Sequence, residues 1–117
     1  MAKHSDLDAT VEIIVVDAYG DDEQYTAFLT VLEEQVRLPA AARLLGMPVT
    51  VTRFGYDNEA RGLTARCEAE SGTGEVALAD LTFPPETEAT WIHAAYRYYL
   101  GLRPFPADPR PGWDWPS

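Results

Sequence analysis

Clustered carboxylates are the side chains of this 117-residue chain whose types and spacing could do chemistry. The turn Asp57–Asn58–Glu59 offers three oxygen ligands in succession, and Glu33 and Glu34 stand side by side earlier in the chain. A set of oxygen ligands selects a hard cation, calcium or magnesium. The alternating ligands, central glycine and closing glutamate of an EF-hand loop do not occur together. On spacing alone, a calcium site is therefore one hypothesis among several.

The chain contains few side chains that are suited to catalysis, so we expect a binding protein and not an enzyme. The two histidines, His4 and His93, are far apart, and none of the three serines stands in a nucleophile-elbow sequence. One cysteine and two distant histidines cannot build a structural zinc site. Cys67 lies on the apolar side of an alternating segment and is interpreted as a packing residue. His93 is interpreted as a residue on a helix surface.

The acidic charge is unevenly distributed along the chain, whose net charge is −10. Residues 1–36 carry nine Asp and Glu residues against one lysine, and residues 67–96 carry six with no Lys or Arg. Nucleic-acid binding is disfavoured because the electrostatic attraction to phosphates has the wrong sign. Folding that brings the two acidic segments together works against repulsion, which a bound cation would relieve.

The rest of the composition predicts a soluble cytoplasmic protein with one hydrophobic core. A single cysteine excludes an intrachain disulfide, which suits a reducing compartment. The polar residues 1–8 lack the apolar stretch of a secretion signal. No apolar segment approaches the ~20 residues that a membrane span needs.

Hydrophobic periodicity predicts helices at both ends of the chain. A first helix over residues 7–18 ends before Gly20, although its β-branched residues 13–16 suit a strand equally well. A second helix begins at Asp21 and ends before Pro39. A final helix, opened by Pro84 and Pro85, ends at Gly101.

Between the helices the pattern changes to the alternation of strands. We expect strands over residues 49–53, 63–69 and 75–81, while 38–45 fits either a helix or a strand. The fold class is α+β, with two N-terminal helices, a small antiparallel sheet or barrel and one C-terminal helix. Residues 1–102 form the domain, and residues 103–117 form a tail rich in proline and tryptophan.

One succession of motifs resembles a known family. The segment Ile14–Val15–Val16–Asp17–Ala18–Tyr19–Gly20 is followed by Glu23–Gln24, by Leu32–Glu33–Glu34 and by Leu38–Pro39. It resembles the signature of small bacterial, cyanobacterial-type, non-EF-hand calcium-binding proteins. The resemblance extends over residues 11–101 and is dense in 13–39. It implies an SH3-like sheet, a C-terminal helix with aromatic residues, and calcium as the bound ion.

The resemblance also implies a set of metal-site residues. Four acidic residues match its motif, namely Asp17, Glu23, Glu33 and Glu34. The turn Asp57–Asn58–Glu59 matches no motif of the family and is included for its ligand chemistry alone. Two features depart from the family pattern: Ala40 follows Pro39 where many relatives have an aromatic residue, and the tail is longer.

The leading hypothesis is a calcium-binding protein that acts as a buffer or weak sensor in signalling. Two alternatives involve a protein partner. In one, an SH3-like sheet and the tail residues Trp113 and Trp115 form a protein-interaction module. In the other, the acidic surface occupies the basic groove of a partner as a nucleic-acid mimic. None of the three readings involves a membrane or direct contact with nucleic acid.

Overall fold

The computed structural model describes residues 2–84 and 87–104, and side-chain surroundings from Leu7 onwards. The elements follow in the order α1 Ala2–Ile14, α2 Asp21–Gln35, β1 Ala40–Leu44, β2 Met47–Tyr56, β3 Leu63–Ala69, β4 Gly72–Ala77, a 3₁₀ turn Leu78–Asp80, β5 Leu81–Thr82 and α3 Glu88–Tyr99. This order confirms the predicted α+β fold, with two N-terminal helices, an antiparallel sheet and a C-terminal helix.

The five strands form one antiparallel sheet in the order β4-β3-β2-β1-β5. The ambiguous segment 38–45 contains β1, whose Ala42 is buried opposite Val49 of β2. Alanine favours a helix by intrinsic propensity, so pairing with β2 decides the conformation here. The alternation predicted for β3 is confirmed from Ala65 onward, where Ala65 and Cys67 are buried and Arg66 and Glu68 are exposed. Thr64, expected on the polar face, is buried beside Leu63, so the alternation is wrong at the start of the strand.

The helices pack together around the core, with α3 in contact with α1, α2 and the 3₁₀ turn. α2 buries Phe28, Val31 and Leu32. The indole N–H of Trp91 on α3 donates to the hydroxyl of Thr10 on α1 at 3.1 Å. α1 ends at Ile14, earlier than expected, within the β-branched residues that lower helix propensity.

The third helix differs from the sequence-based expectation in two respects. It begins at Glu88 and not at the prolines, and the side chain of Thr87 caps it by accepting the Thr90 N–H. The surface position expected for His93 is wrong, since its side chain is 1% exposed. Its Nε2 lies 3.0 Å from the carbonyl oxygen of Leu78, and the edge of Phe83 packs beside it. α3 is buried from Ala89 to Tyr96, so this helix has no solvent face at His93.

Two further expectations concern the ends of the chain and the membrane. The tail residues Phe105, Trp113 and Trp115 lie outside the described residues. Over the described ranges, no helix is long and apolar enough to cross a bilayer.

The buried histidine predicts a specific loss of stability in mild acid. Burial lowers the pKa of His93 from 6.5 to about 4. Below about pH 6.5 His93 becomes protonated in the unfolded chain, whereas in the folded chain it stays neutral until about pH 4. The free energy of unfolding therefore decreases as the pH is lowered from about 6.5 to about 4. Between pH 7 and pH 5 we expect the free energy of unfolding to drop by about 2 kcal/mol from this group.

Urea unfolding of the wild type and of His93→Gln at both pH values measures the effect. All other titratable groups are the same in both proteins, so the difference between the two pH dependences measures the contribution of His93. An identical pH dependence in the two proteins would show that His93 takes up its proton equally in the folded and unfolded states.

Candidate functional site

Five aromatic rings join α2, β2 and α3 beside the start of α2. Tyr25 stacks on Tyr56 with ring centroids 5.2 Å apart, and the ring of Tyr99 meets Tyr25 edge-on at 5.9 Å. Phe28 packs against Tyr96 at 5.6 Å and against Tyr99 at 5.1 Å. Offset and edge-on pairs of this kind add stability beyond the area they bury. We call these five residues the tyrosine cluster.

The tyrosine hydroxyl groups of the tyrosine cluster form hydrogen bonds with neighbouring backbone and side-chain groups. The hydroxyl of Tyr56 donates to a carboxylate oxygen of Asp22, and the hydroxyl of Tyr99 donates to Oε1 of Gln24 at 2.7 Å. The hydroxyl oxygen of Tyr96 accepts the N–H of Leu63 at 2.8 Å. The first turn of α2 is therefore fixed to the end of β2 and to α3, and the start of β3 is fixed to α3.

The loop between β2 and β3 is organised by its own side chains. Oδ1 of Asn58 accepts the N–H of Arg61 at 3.0 Å, and the carbonyl of Asn58 accepts the N–H of Gly62. The carboxylate of Asp57 lies 3.4 Å from the Arg61 guanidinium, which also approaches Glu75 at 3.6 Å. Two of the three predicted ligands in this loop thus have partners inside the structure.

Glu59, the third, is close enough for its charge to act on the tyrosine rings beside the start of α2. The pKa values of Tyr25 and Tyr99 are raised, first by burial and then by negative charge that includes both Asp21 and Glu59. The pKa of Tyr56 is raised chiefly by its hydrogen bond to Asp22, with Glu59 contributing further. Asp21, Asp22 and Glu59 are exposed. Carboxylates from two distant segments therefore act electrostatically on the tyrosines of this cluster. We call Asp21, Asp22 and Glu59 the acidic edge.

A second group of predicted residues meets on the other side of the start of α2. Asp17 and Glu23 line a depression of about 390 Å³ between the end of α1 and α2, together with Asp22. Ile14, Val16 and Ala27 are among its apolar lining residues. We call this depression the elbow groove.

Glu33 and Glu34 are separate from both places. They are exposed in the last turn and a half of α2. At a rise of about 1.5 Å per residue, Glu33 lies roughly 18 Å along the helix from Asp21. Within the described ranges, no three side chains of the Asp, Glu, His or Cys type are grouped so that they could hold a metal ion.

The architecture that positions these residues occurs in a solved structure. The fold matches that of Anabaena CcbP. The TM-score is 0.69 at 16% sequence identity, and the match covers 85% of this chain and 94% of that one. CcbP is a cyanobacterial calcium-binding protein, so the predicted resemblance is confirmed at the level of the fold. No protein-family model and no curated protein matches the sequence.

Within this CcbP-like fold, Asp21 and Asp22 stand beside the tyrosine cluster, and sequence reasoning did not include them among the candidate ligands. Acidic residues in a first helical turn favour the helix dipole, which explains them without any ligand. A signal was nevertheless available, because Asp21 and Tyr25 stand four residues apart and share a helix face. The approach of Glu59 has no local signal, since it depends on how the β2–β3 loop packs on α2.

The contact between Gly62 and Tyr96 predicts how strongly the loop is anchored. A Cβ at Gly62, where φ is 67°, would lie 2.6 Å from the Tyr96 hydroxyl oxygen, whereas at Gly46, where φ is 79°, it would meet nothing within 4 Å. Gly46→Ala should therefore lose only the roughly 1 kcal/mol that a left-handed backbone costs. Gly62→Ala should lose roughly 3 kcal/mol, because it also displaces the acceptor of the buried Leu63 N–H.

Urea unfolding of the two variants measures both losses. In the Gly62→Ala background, Tyr96→Phe should destabilise less than it does in the wild type, because removing the hydroxyl relieves the contact. Equal losses for Gly62→Ala and Gly46→Ala would mean that the Tyr96 hydroxyl does not hold the loop.

Proposed function

We propose that this chain is a calcium-binding protein, a buffer or weak sensor, and not an enzyme. The observation that carries the proposal is the fold it shares with calcium-binding CcbP over 85% of its length. The donor chemistry supports it independently, because exposed carboxylates stand at the start of α2, in Asp21, Asp22 and Glu23, and in the β2–β3 loop, in Asp57 and Glu59.

We place the ion at the acidic edge, where Asp21, Asp22 and Glu59 would act as ligands only after their side chains turn toward one another, because the described residues are not grouped to hold a metal ion as they stand. Calcium takes about 6–8 oxygen ligands in flexible geometry, and three carboxylates with water molecules supply such a set. Glu59 belongs to the ligand set predicted from the sequence, and Asp57 and Asn58 precede it in the same loop. The hydrogen bond from Tyr56 orients one carboxylate of the edge, that of Asp22.

The properties of the acidic edge suit a weak site. Its carboxylates are exposed and must turn toward the ion, so binding includes a cost of ordering side chains. Neither Asp21 nor Glu59 has a cationic partner among the described residues, so a cation relieves repulsion without breaking an ion pair. Magnesium demands near-octahedral geometry and releases water reluctantly, so a flexible site of this kind favours calcium.

Calorimetric titration of the chelator-treated protein with calcium and magnesium tests the proposal. We expect calcium to bind more tightly than magnesium, and Asp21→Asn/Glu59→Gln to weaken calcium binding roughly tenfold or more. Glu33→Gln/Glu34→Gln is the matched control, because it removes the same charge from the same protein at a distance from the edge. The control should keep the wild-type calcium affinity.

Terbium luminescence provides a second test of the position of the ion. A terbium ion at the acidic edge lies beside Tyr25 and Tyr56, so excitation of tyrosine should sensitise its luminescence, and excess calcium should quench it. Absence of calcium binding at matched ionic strength would refute the function. Equal weakening by the edge variant and by its control would instead refute the position.

A further inference from the structure

We propose that the elbow groove docks a basic amphipathic segment of a protein partner. The groove lies between the end of α1 and the first half of α2 and has a volume of about 390 Å³. It combines apolar surface with carboxylates, and each of these predicts one property of the partner.

The apolar side chains at this place are unusually exposed. Val16 lines the groove with 70% of its surface exposed, and Tyr19, next to the lining residue Ala18, is 80% exposed. Ile13, which precedes the lining residue Ile14, is 43% exposed. These three residues stand three positions apart along the chain. Exposed apolar patches on a folded protein mark interaction sites, and tyrosine is enriched in the residues that dominate binding energy. The partner segment therefore presents apolar side chains.

The charge of the groove is one-sided. Asp17, Asp22 and Glu23 line it, and none of its described lining residues is Lys or Arg. Electrostatic complementarity predicts lysine or arginine on the partner segment beside its apolar residues. A short helix or strand with alternating basic and apolar side chains meets both requirements.

Two other occupants lack the positive charge. A second copy of this chain in a twofold contact would bring the same surface, with its Asp17 and Glu23, against itself. The segment 105–117 of this chain contains Asp108, Arg110 and Asp114, and hence a net charge of −1. The groove thus selects a basic partner over either of these.

Fluorescence anisotropy with labelled synthetic peptides tests the proposal. The probe is an amphipathic Leu/Lys peptide, compared with a Lys/Ser peptide of equal charge and a Leu/Glu peptide of equal apolar content. All titrations contain a calcium chelator, and the variants spare Asp22, which the groove shares with the acidic edge. Failure of calcium binding therefore leaves this test unaffected.

We expect the Leu/Lys peptide to bind more tightly than either comparison peptide. Asp17→Asn/Glu23→Gln should weaken its binding roughly tenfold, and Val16→Ser should weaken it several-fold without changing the net charge. Glu33→Gln/Glu34→Gln, the matched control, should leave the dissociation constant unchanged.

Three results would overturn the proposal. Equal affinity for the Leu/Lys and Lys/Ser peptides would show attraction by charge alone, without docking. Equal weakening of peptide binding by the Glu33→Gln/Glu34→Gln control would show that the carboxylates of the groove contribute no more than other carboxylates of the protein. A concentration-dependent dimer that Val16→Ser dissociates would assign the groove to a second copy of this chain.

Discussion

Packing of Tyr25 between the rings of Tyr56 and Tyr99 holds the start of α2 against the sheet and α3. These elements come from three separate parts of the chain, and the tyrosine cluster is where they meet. Its hydroxyl groups then position their surroundings: Tyr56 reaches Asp22, Tyr99 reaches Gln24, and Tyr96 holds the first residue of β3. The placement of the acidic edge depends on this packing, because Tyr56 holds Asp22 and Tyr96 anchors the end of the loop that carries Glu59.

Repulsion between negatively charged side chains opposes the packing of the loop beside the start of α2. The start of α2 carries three consecutive acidic residues, which the helix dipole stabilises, and the loop adds Glu59. Carboxylates thus lie at two neighbouring places at one helix terminus, the acidic edge and the elbow groove, which share Asp22. The first is set against aromatic rings and a loop, and the second against exposed aliphatic surface. This difference in surroundings is why we assign a metal ion to one and a basic peptide to the other.

Local patterns in the sequence predicted much of the fold, and the motifs of residues 13–39 pointed to the architecture that CcbP shares. The alternation around Cys67 and the apolar stripe of α2 are short-range signals, and both are confirmed. Long-range packing explains the features that these short-range signals did not predict. β1 forms from alanines because β2 pairs with it, and His93 is buried because α3 is covered on every side at that point. The same holds for the candidate site. Asp57–Asn58–Glu59 was recognisable as a turn of oxygen ligands, whereas the effect of Glu59 on the same tyrosines as Asp21 depends on the tertiary packing.

A calcium titration followed by amide NMR tests most directly whether the tyrosine cluster brings two distant segments to one ion. We expect the amide signals of residues 20–24 and 57–62 to shift together, with one common dissociation constant, while those of residues 33–34 and 68–70 stay in place. Independent affinities for the two segments, or the largest shifts at Glu33 and Glu34, would contradict it.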